Sequence, residues 1–351
     1  MLSVIIPFSY RKGDKQCLKR LHNALACFQG KQHLEVVLFD TSPARYCQRV
    51  KTIASMLGSK YFHEEQSGVF SPGETRNKAV SKAQGRYVFF CDADLLCPDK
   101  LVNELLRQVT VLEGIGRQAF AMFPCFYLSQ KATLDVFSGQ LPDYSQYWQS
   151  YFQGLLDHVD GIAVASSCLL VEREWFLRIS GFKPDFSGHG YEDFELIHRL
   201  AAYYPLGMLP DDYAVDDKHQ FPADYVGFRR FYSYYALPHL FSGHFLLHQW
   251  HKRPLANKYH RLRQGNEELF ANILSSKSLP ICDGIQPFGT KRKLPGYREW
   301  IMTLMQDNGY DLQQYPGLFH WQEGVSRPSG NWQRKLRKLV LKPRQFFRDM
   351  V

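Results

Sequence analysis

The chain has 351 residues, 45% hydrophobic and 22% charged, enough apolar material for one large α/β domain with an appendage or for two modest domains. Its formal net charge of +9 favours anionic partners (nucleotide phosphates, acidic glycans, an anionic membrane face), and no helix-turn-helix, zinc-finger or RNP pattern supports nucleic acid. No apolar run reaches membrane-span length, the first residues read as a core strand and not a leader, and eight cysteines show no C-x-x-C spacing, so a cytoplasmic protein with reduced thiols is expected.

Strand and helix signals alternate through the first half. Ser3 to Phe8, SVIIPF, is the first strand, and Asp14 opens a helix with Cys17, Leu18, Leu21, Leu25 and Phe28 on its apolar face. Leu34 to Phe39 is the second strand and ends at Asp40; Ser42-Pro43 begins the next helix, with proline in the first turn. A short strand near Tyr61-Phe62 precedes Ser71-Pro72-Gly73-Glu74, a capping box that opens a helix to about Ala83. Arg86 to Cys91 reads as a buried strand and Pro98 to about Leu112 as an amphipathic helix. This order predicts an α/β fold whose mostly parallel sheet carries helices on both faces. Further on, 120–128 and 162–171 read as strands around a polar, aromatic stretch at 131–160, and helices are expected at 172–179 and from Glu192 to about Tyr204. Helical spacing recurs at 225–250 and 257–274.

The most informative stretch is VFFCDADLL, residues 88–96, where an apolar run ends in Asp92 and Asp94. Open α/β sheets bind ligands at the carboxyl ends of their strands. Two carboxylates there need a positive partner, and a divalent cation on a diphosphate supplies one; an ordinary strand-to-turn aspartate pair is the alternative. Asp40 and the segment Pro7, Phe8, Tyr10 and Arg11 reach the same edge, where a carboxylate can accept from a base N–H and Tyr10 can stack on a ring. Asp40 could equally cap the helix that follows it. Arg76 and Asn77 lie in the first turn of their helix, placed to steady the carboxylates or to meet a diphosphate.

A second cluster is FSGHGYEDFEL, residues 186–196, in which Gly188 and Gly190 flank His189 just before a helix. Glu192 and Asp193 there either cap the helix or divide two tasks, one binding an acceptor hydroxyl and the other serving as general base. His219 is a candidate third metal ligand beside Asp92 and Asp94. His244 and His248, four apart, lack the glutamate of a zinc-protease helix and read as packing. The tail from Asn331 to Val351 has seven Lys or Arg against one acid, interleaved with apolar residues, and reads as a membrane-surface helix or as a solvated helix packed on the domain.

Together these motifs resemble the family 2 glycosyltransferases, which have the GT-A fold. SVIIPFSYR resembles the family's opening strand and nucleotide loop, SPGETRNKAV its arginine–asparagine helix, and CDADLL its D-x-D; FSGHGYEDFEL is similar to the acceptor-side E-D motif of galactosyl- and N-acetylgalactosaminyltransferases and of bacterial chondroitin-type polymerases. The resemblance runs to about residue 220. It implies a catalytic domain at 1–220 (nucleotide half 1–115, acceptor half 116–220) and a mainly helical region at 221–351. By the same resemblance Asp92 would touch ribose and metal, Asp94 and His219 the metal, and Asp40 the uracil, with Asp193 the base beside Glu192. His189 stands where the motif usually has tryptophan, and Asp40 stands alone where relatives often have a pair of acids.

The implied activity is inverting, Mn²⁺- or Mg²⁺-dependent transfer of a hexose or N-acetylhexosamine from a UDP-sugar to a glycan hydroxyl. The setting it suggests is bacterial capsule or lipopolysaccharide synthesis at the inner face of the membrane. A sugar nucleotidyltransferase would want a richer glycine loop than Tyr10-Arg11-Lys12-Gly13-Asp14. A non-catalytic glycan- or membrane-binding protein would be favoured by loss of an acidic cluster, and both clusters are intact.

Overall fold

A computed structural model describes residues 1–319 apart from 11–12, 140–142, 156, 218, 220, 253–257, 277–281 and 283, together with residue 339. Arg11 and, but for that one residue, the basic tail at 331–351 lie outside the described residues. In chain order the elements begin β1 (Leu2–Phe8), α1 (Cys17–Ala26), β2 (Leu34–Asp40), α2 (Ala44–Met56), β3 (Lys60–His63), α3 (Pro72–Lys82), β4 (Tyr87–Phe90), β5 (Leu95–Leu96) and α4 (Asp99–Ile115). They continue β6 (Phe120–Met122), β7 (Cys125–Leu128), α5 (Gln130–Phe137), α6 (Tyr144–Phe152), β8 (Val159–Ala163), β9 (Leu169–Glu172), α7 (Arg173–Arg178) and α8 (Glu192–Tyr203). Last come α9 (Gly227–Phe241), β10 (Leu246–His248), α10 (Lys258–Arg261), α11 (Arg263–Ser275) and α12 (Tyr297–Asp307).

The main sheet has six strands in the order β3-β2-β1-β4-β9-β6, with the first four parallel and β9 antiparallel to both its neighbours. Successive residues of β1 serve opposite cores. Val4 and Ile6 pack with Leu21, Val50 and Leu105 on one face, while Ile5 packs with Val80, Phe90 and Phe176 on the other. A strand covered on both faces cannot alternate apolar with polar, which is why β1 reads as a continuous apolar run. Each such side chain contributes about 1.5–3 kcal/mol by leaving water. At the amino end of α3 the Ser71 hydroxyl accepts from the Glu74 N–H at 3.4 Å and Pro72 occupies the first turn, as the capping box predicts.

The expected strands at 120–128 and 162–171 each split in two. Pro124 offers no N–H to a ladder, and there the chain leaves the main sheet and enters a second one of order β5-β10-β7-β8. The later break falls at Ser166, whose hydroxyl donates to the Phe123 carbonyl at 2.7 Å and accepts from the Cys168 N–H at 3.1 Å. The helical reading of 225–250 also changes. Helix α9 stops at Phe241, Gly243 takes a left-handed φ of +74°, and the following residues pair as β10 between β5 and β7. Residues beyond 220 therefore build part of the sheet edge next to Asp94, in addition to supplying helices.

Candidate active site

The carboxyl edge of β1 and β4 opens into a cavity of about 490 Å³, lined by Pro7 and Phe8, Arg76, Asp92 and Asp94, Ser166 and Ser167, His189 to Phe194, His248, His251 and Arg263 among others. Two acidic centres face it, joined by one arginine. Arg76 is fully buried; its Nη2 lies 2.6 Å from Asp92 Oδ1 and its Nη1 lies 3.2 Å from Glu192 Oε1. Ser167 donates to the other Asp92 oxygen at 3.4 Å. Asn77 does not line the cavity. Its side chain clamps the backbone of Phe182 from both sides, at 2.8 and 2.9 Å, and so holds the segment that leads to the glycine loop.

That loop brings Glu192 and Asp193 to the start of α8 through left-handed residues: Gly188 at φ +74°, Gly190 at +88° and, unusually for a residue with a Cβ, Tyr191 at +76°. A bulky residue pays for such a backbone only where its surroundings hold it. Here the Tyr191 hydroxyl donates to Asp216, which also accepts from Arg229 Nε at 2.6 Å. Glu192 is 6% exposed, and its Oε2 and the Arg76 Nε are buried with no hydrogen-bond partner among the described residues. Burial, and then the neighbouring Asp193 charge, push Glu192 up to about 7. Burial also raises Asp193, against the pull of Arg76. Asp193 is the more open of the two and accepts the Phe194 N–H at 2.9 Å through Oδ1.

At the other centre Asp94 meets two histidines: His248, which the sequence reads as packing, and His251, which it does not single out. His248 Nε2 stands 3.5 Å and His251 Nε2 3.3 Å from Asp94 Oδ2. His251 Nδ1 lies 3.1 Å from the Lys252 carbonyl, which only accepts, so Nδ1 carries the proton. That leaves Nε2 as the atom turned toward the Asp94 carboxylate, where the two can face one cation. The 3.5 and 3.3 Å separations suit ligands held about 2.1 Å from a shared ion, and the ligand atoms of all three residues lie within 4.8 Å of one another. Two imidazoles and a carboxylate are a donor set for a first-row transition-metal dication rather than for Mg²⁺, which prefers oxygen.

Four expected residues differ from expectation in place or in partner. His219 does not line the cavity; its Nε2 lies 3.5 Å from Asp217, and the histidines that the fold carries to Asp94 are His248 and His251. Asp92 faces the cavity but is spent on Arg76 and is not part of that trio. Asp40 is fully buried and off the cavity, its oxygens accepting from Ser42 N at 2.9 Å and Tyr61 Oη at 2.8 Å, so the acceptor capacity expected to meet a base is used internally. Tyr10 is likewise outside the lining and stacks on Tyr46 with ring centroids 4.0 Å apart. No signal within residues 244–251 marked the two histidines; only the pairing of β10 with β5 puts them beside Asp94.

Comparison with known proteins bears on this geometry. The chain matches the sequence profile described as glycosyltransferase like family 2 over residues 3–275. No curated protein matches it. Among solved structures, TarS of S. aureus is 18% identical with a TM-score of 0.37, covering 57% of this chain and 33% of that one. Residues 1–349 of TarS in complex with UDP are 17% identical, TM-score 0.36, covering 57% and 55%. The mannosyltransferase PcManGT from Pyrobaculum calidifontis, in complex with GDP-Man and Mn²⁺, is 16% identical, TM-score 0.42, covering 99% and 83%. The chain thus spans between a third and about half of the TarS chains it matches. These structural likenesses are remote, and the family match, which runs from β1 to the end of α11, carries the weight: the chain belongs to glycosyltransferase-like family 2, a family of transferase enzymes with an α/β fold.

Proposed function

We propose that the protein transfers a hexose or N-acetylhexosamine from a UDP-sugar to a glycan hydroxyl, with a divalent ion, Mn²⁺ in preference to Mg²⁺, held by Asp94, His248 and His251. The observation that carries this reading is the single cavity shared by that trio and by Glu192 and Asp193, with Arg76 spanning Asp92 and Glu192. The ion, when bound, supplies Lewis-acid neutralisation of the departing diphosphate. Pro7 and Phe8 line the same cavity and in this reading meet the nucleotide.

Asp193 is the general base of this proposal. Glu192 is fastened to Arg76 and more deeply buried, whereas Asp193 keeps an oxygen toward the cavity to accept the proton of the attacking hydroxyl. A single displacement from the face opposite UDP inverts the anomeric centre. The setting proposed is assembly of a bacterial capsule or lipopolysaccharide-type glycan at a membrane face, with the basic tail at 331–351 as the attachment; no helix among the described residues is long and apolar enough to cross a membrane.

A thermal-shift and hydrolysis panel of UDP-sugars with and without Mn²⁺ tests the proposal. One donor should stabilise the protein only with the ion, Asp94→Ala should abolish that, and Asp193→Ala should still bind donor without transferring it. If no nucleotide sugar shifts the wild type, the proposal fails.

A further inference from the structure

The helices after residue 257 press on the glycine loop that carries the acidic pair. The His189 N–H donates to the Tyr259 carbonyl at 3.1 Å, and Asn266 Nδ2 donates to the carbonyls of Ser187 and Gly190, both at 2.9 Å. A Cβ on Gly188 would come within 2.8 Å of the Tyr259 carbonyl, and one on Gly190 within 2.4 Å of Arg263 Nη1, so the contact is backbone-close. It sets an aromatic wall on the cavity: His189 and Tyr259 have ring centroids 5.5 Å apart, and Phe70 lies 6.1 Å from Tyr259.

Beside that wall stands Arg263, its guanidinium 4.8 Å from the Tyr191 ring centroid. The other arginines of the lining are committed: Arg20 to Asp14, Arg76 to Asp92 and Glu192, and Arg229 to Asp216. Arg263 has no ion pair among the described residues, although it faces the cavity and is near enough to Asp193 to oppose the rise in its carboxyl pKa. A half-buried guanidinium next to ring faces is a fork for a planar or tetrahedral anion with an apolar face alongside, which is the outline of an acidic sugar. Resting on the reading of Asp193 as the acceptor-side base, we propose that Arg263, with His189, Tyr259 and Phe70, forms an acceptor subsite for a glycan whose reacting end bears an anionic group, a carboxylate or a phosphate.

The test is binding to the full-length protein saturated with UDP and Mn²⁺, measured by calorimetry for methyl β-glucoside, methyl β-glucuronide and methyl β-glucoside 6-phosphate. The wild type should prefer at least one anionic probe over the neutral one by roughly tenfold, the scale of one charge-assisted pair. Which anion is preferred separates carboxylate from phosphate. Arg263→Gln should bring the ratio near one while leaving UDP affinity within about twofold, and Arg263→Lys should retain part of the preference. The proposal is overturned if the wild type shows no preference or binds neither anionic probe. It is equally overturned if Arg263→Gln keeps the ratio, or if that variant loses UDP affinity instead, which would assign the arginine to the donor. Donor hydrolysis by the wild type is read in parallel: its absence counts against sugar transfer, and the probe ratio still reports on the subsite.

Discussion

Arg76 is the residue on which both halves of the site depend. It is buried with a carboxylate on each side, and removing one member of such a buried set leaves the others uncompensated. Arg76→Gln should therefore lower stability by about 3–5 kcal/mol in urea denaturation, most of it from Glu192 because Asp92 is partly open to solvent. Glu192 also links stability to pH. Its folded pKa of about 7 exceeds the ordinary 4.5, so the native state holds the proton more tightly than the unfolded chain does. The stability this contributes is complete below about 4.5 and is lost as pH rises through about 7, which denaturation midpoints at intervals across that range will show. Because burial raises Asp193 as well, the acid limb of the turnover profile should lie higher than an ordinary aspartate would set it. His248→Ala and His251→Ala should each weaken Mn²⁺ binding at least about tenfold by titration, with His219→Ala close to wild type. Of these residues, the acids and the arginine were legible in local pattern. His248 was read as packing because the pair it forms with His244 lacks the glutamate of a zinc-protease helix, and residues 246–248 are in fact a strand.

At the scale of elements, local rules succeeded wherever the signal was contained in a few consecutive residues. Ser71, Pro72 and Glu74 announce the start of α3, and the structure closes the cap they predict. Ser71→Ala should cost about 1 kcal/mol in thermal denaturation. It should also loosen Arg76, which sits in the same buried turn. The rules failed where an element ends for tertiary reasons. The apolar runs at 120–128 and 162–171 look like unbroken strands, but each is shared between two sheets, with the switch made at Pro124 and at the Ser166 bridge. A run of apolar residues says that a segment is buried; it does not say against which sheet.

For the whole molecule, the decisive feature is the return of the chain after α9. Strand β10 enters between β5 and β7, and buried Gln249 pins its end by donating to the Arg20 carbonyl at 3.2 Å and accepting from Asn23 at 3.0 Å. The trio proposed to hold the metal thus joins residues about 155 positions apart, and its geometry depends on packing that no local segment controls. Leu247 and Leu105 are both fully buried, so replacing either with alanine should cost about 2–5 kcal/mol. Only Leu247→Ala, beside His248, should also weaken Mn²⁺ binding, and comparing titration with denaturation for the two variants separates the effects.

By itself the sequence determined the alternating α/β order, the sheet edge where the carboxylates gather and the membership of the acidic pair, because each follows from short-range periodicity, capping and turn chemistry. The tertiary structure alone decided which histidines face Asp94, that Asp40 is consumed by Ser42 and Tyr61, and that Arg263 and Asp193 line one cavity. Those are contacts between segments far apart in the chain. Their partners are chosen by how the sheets and helices close on one another, and residue types at fixed spacing carry no record of that choice.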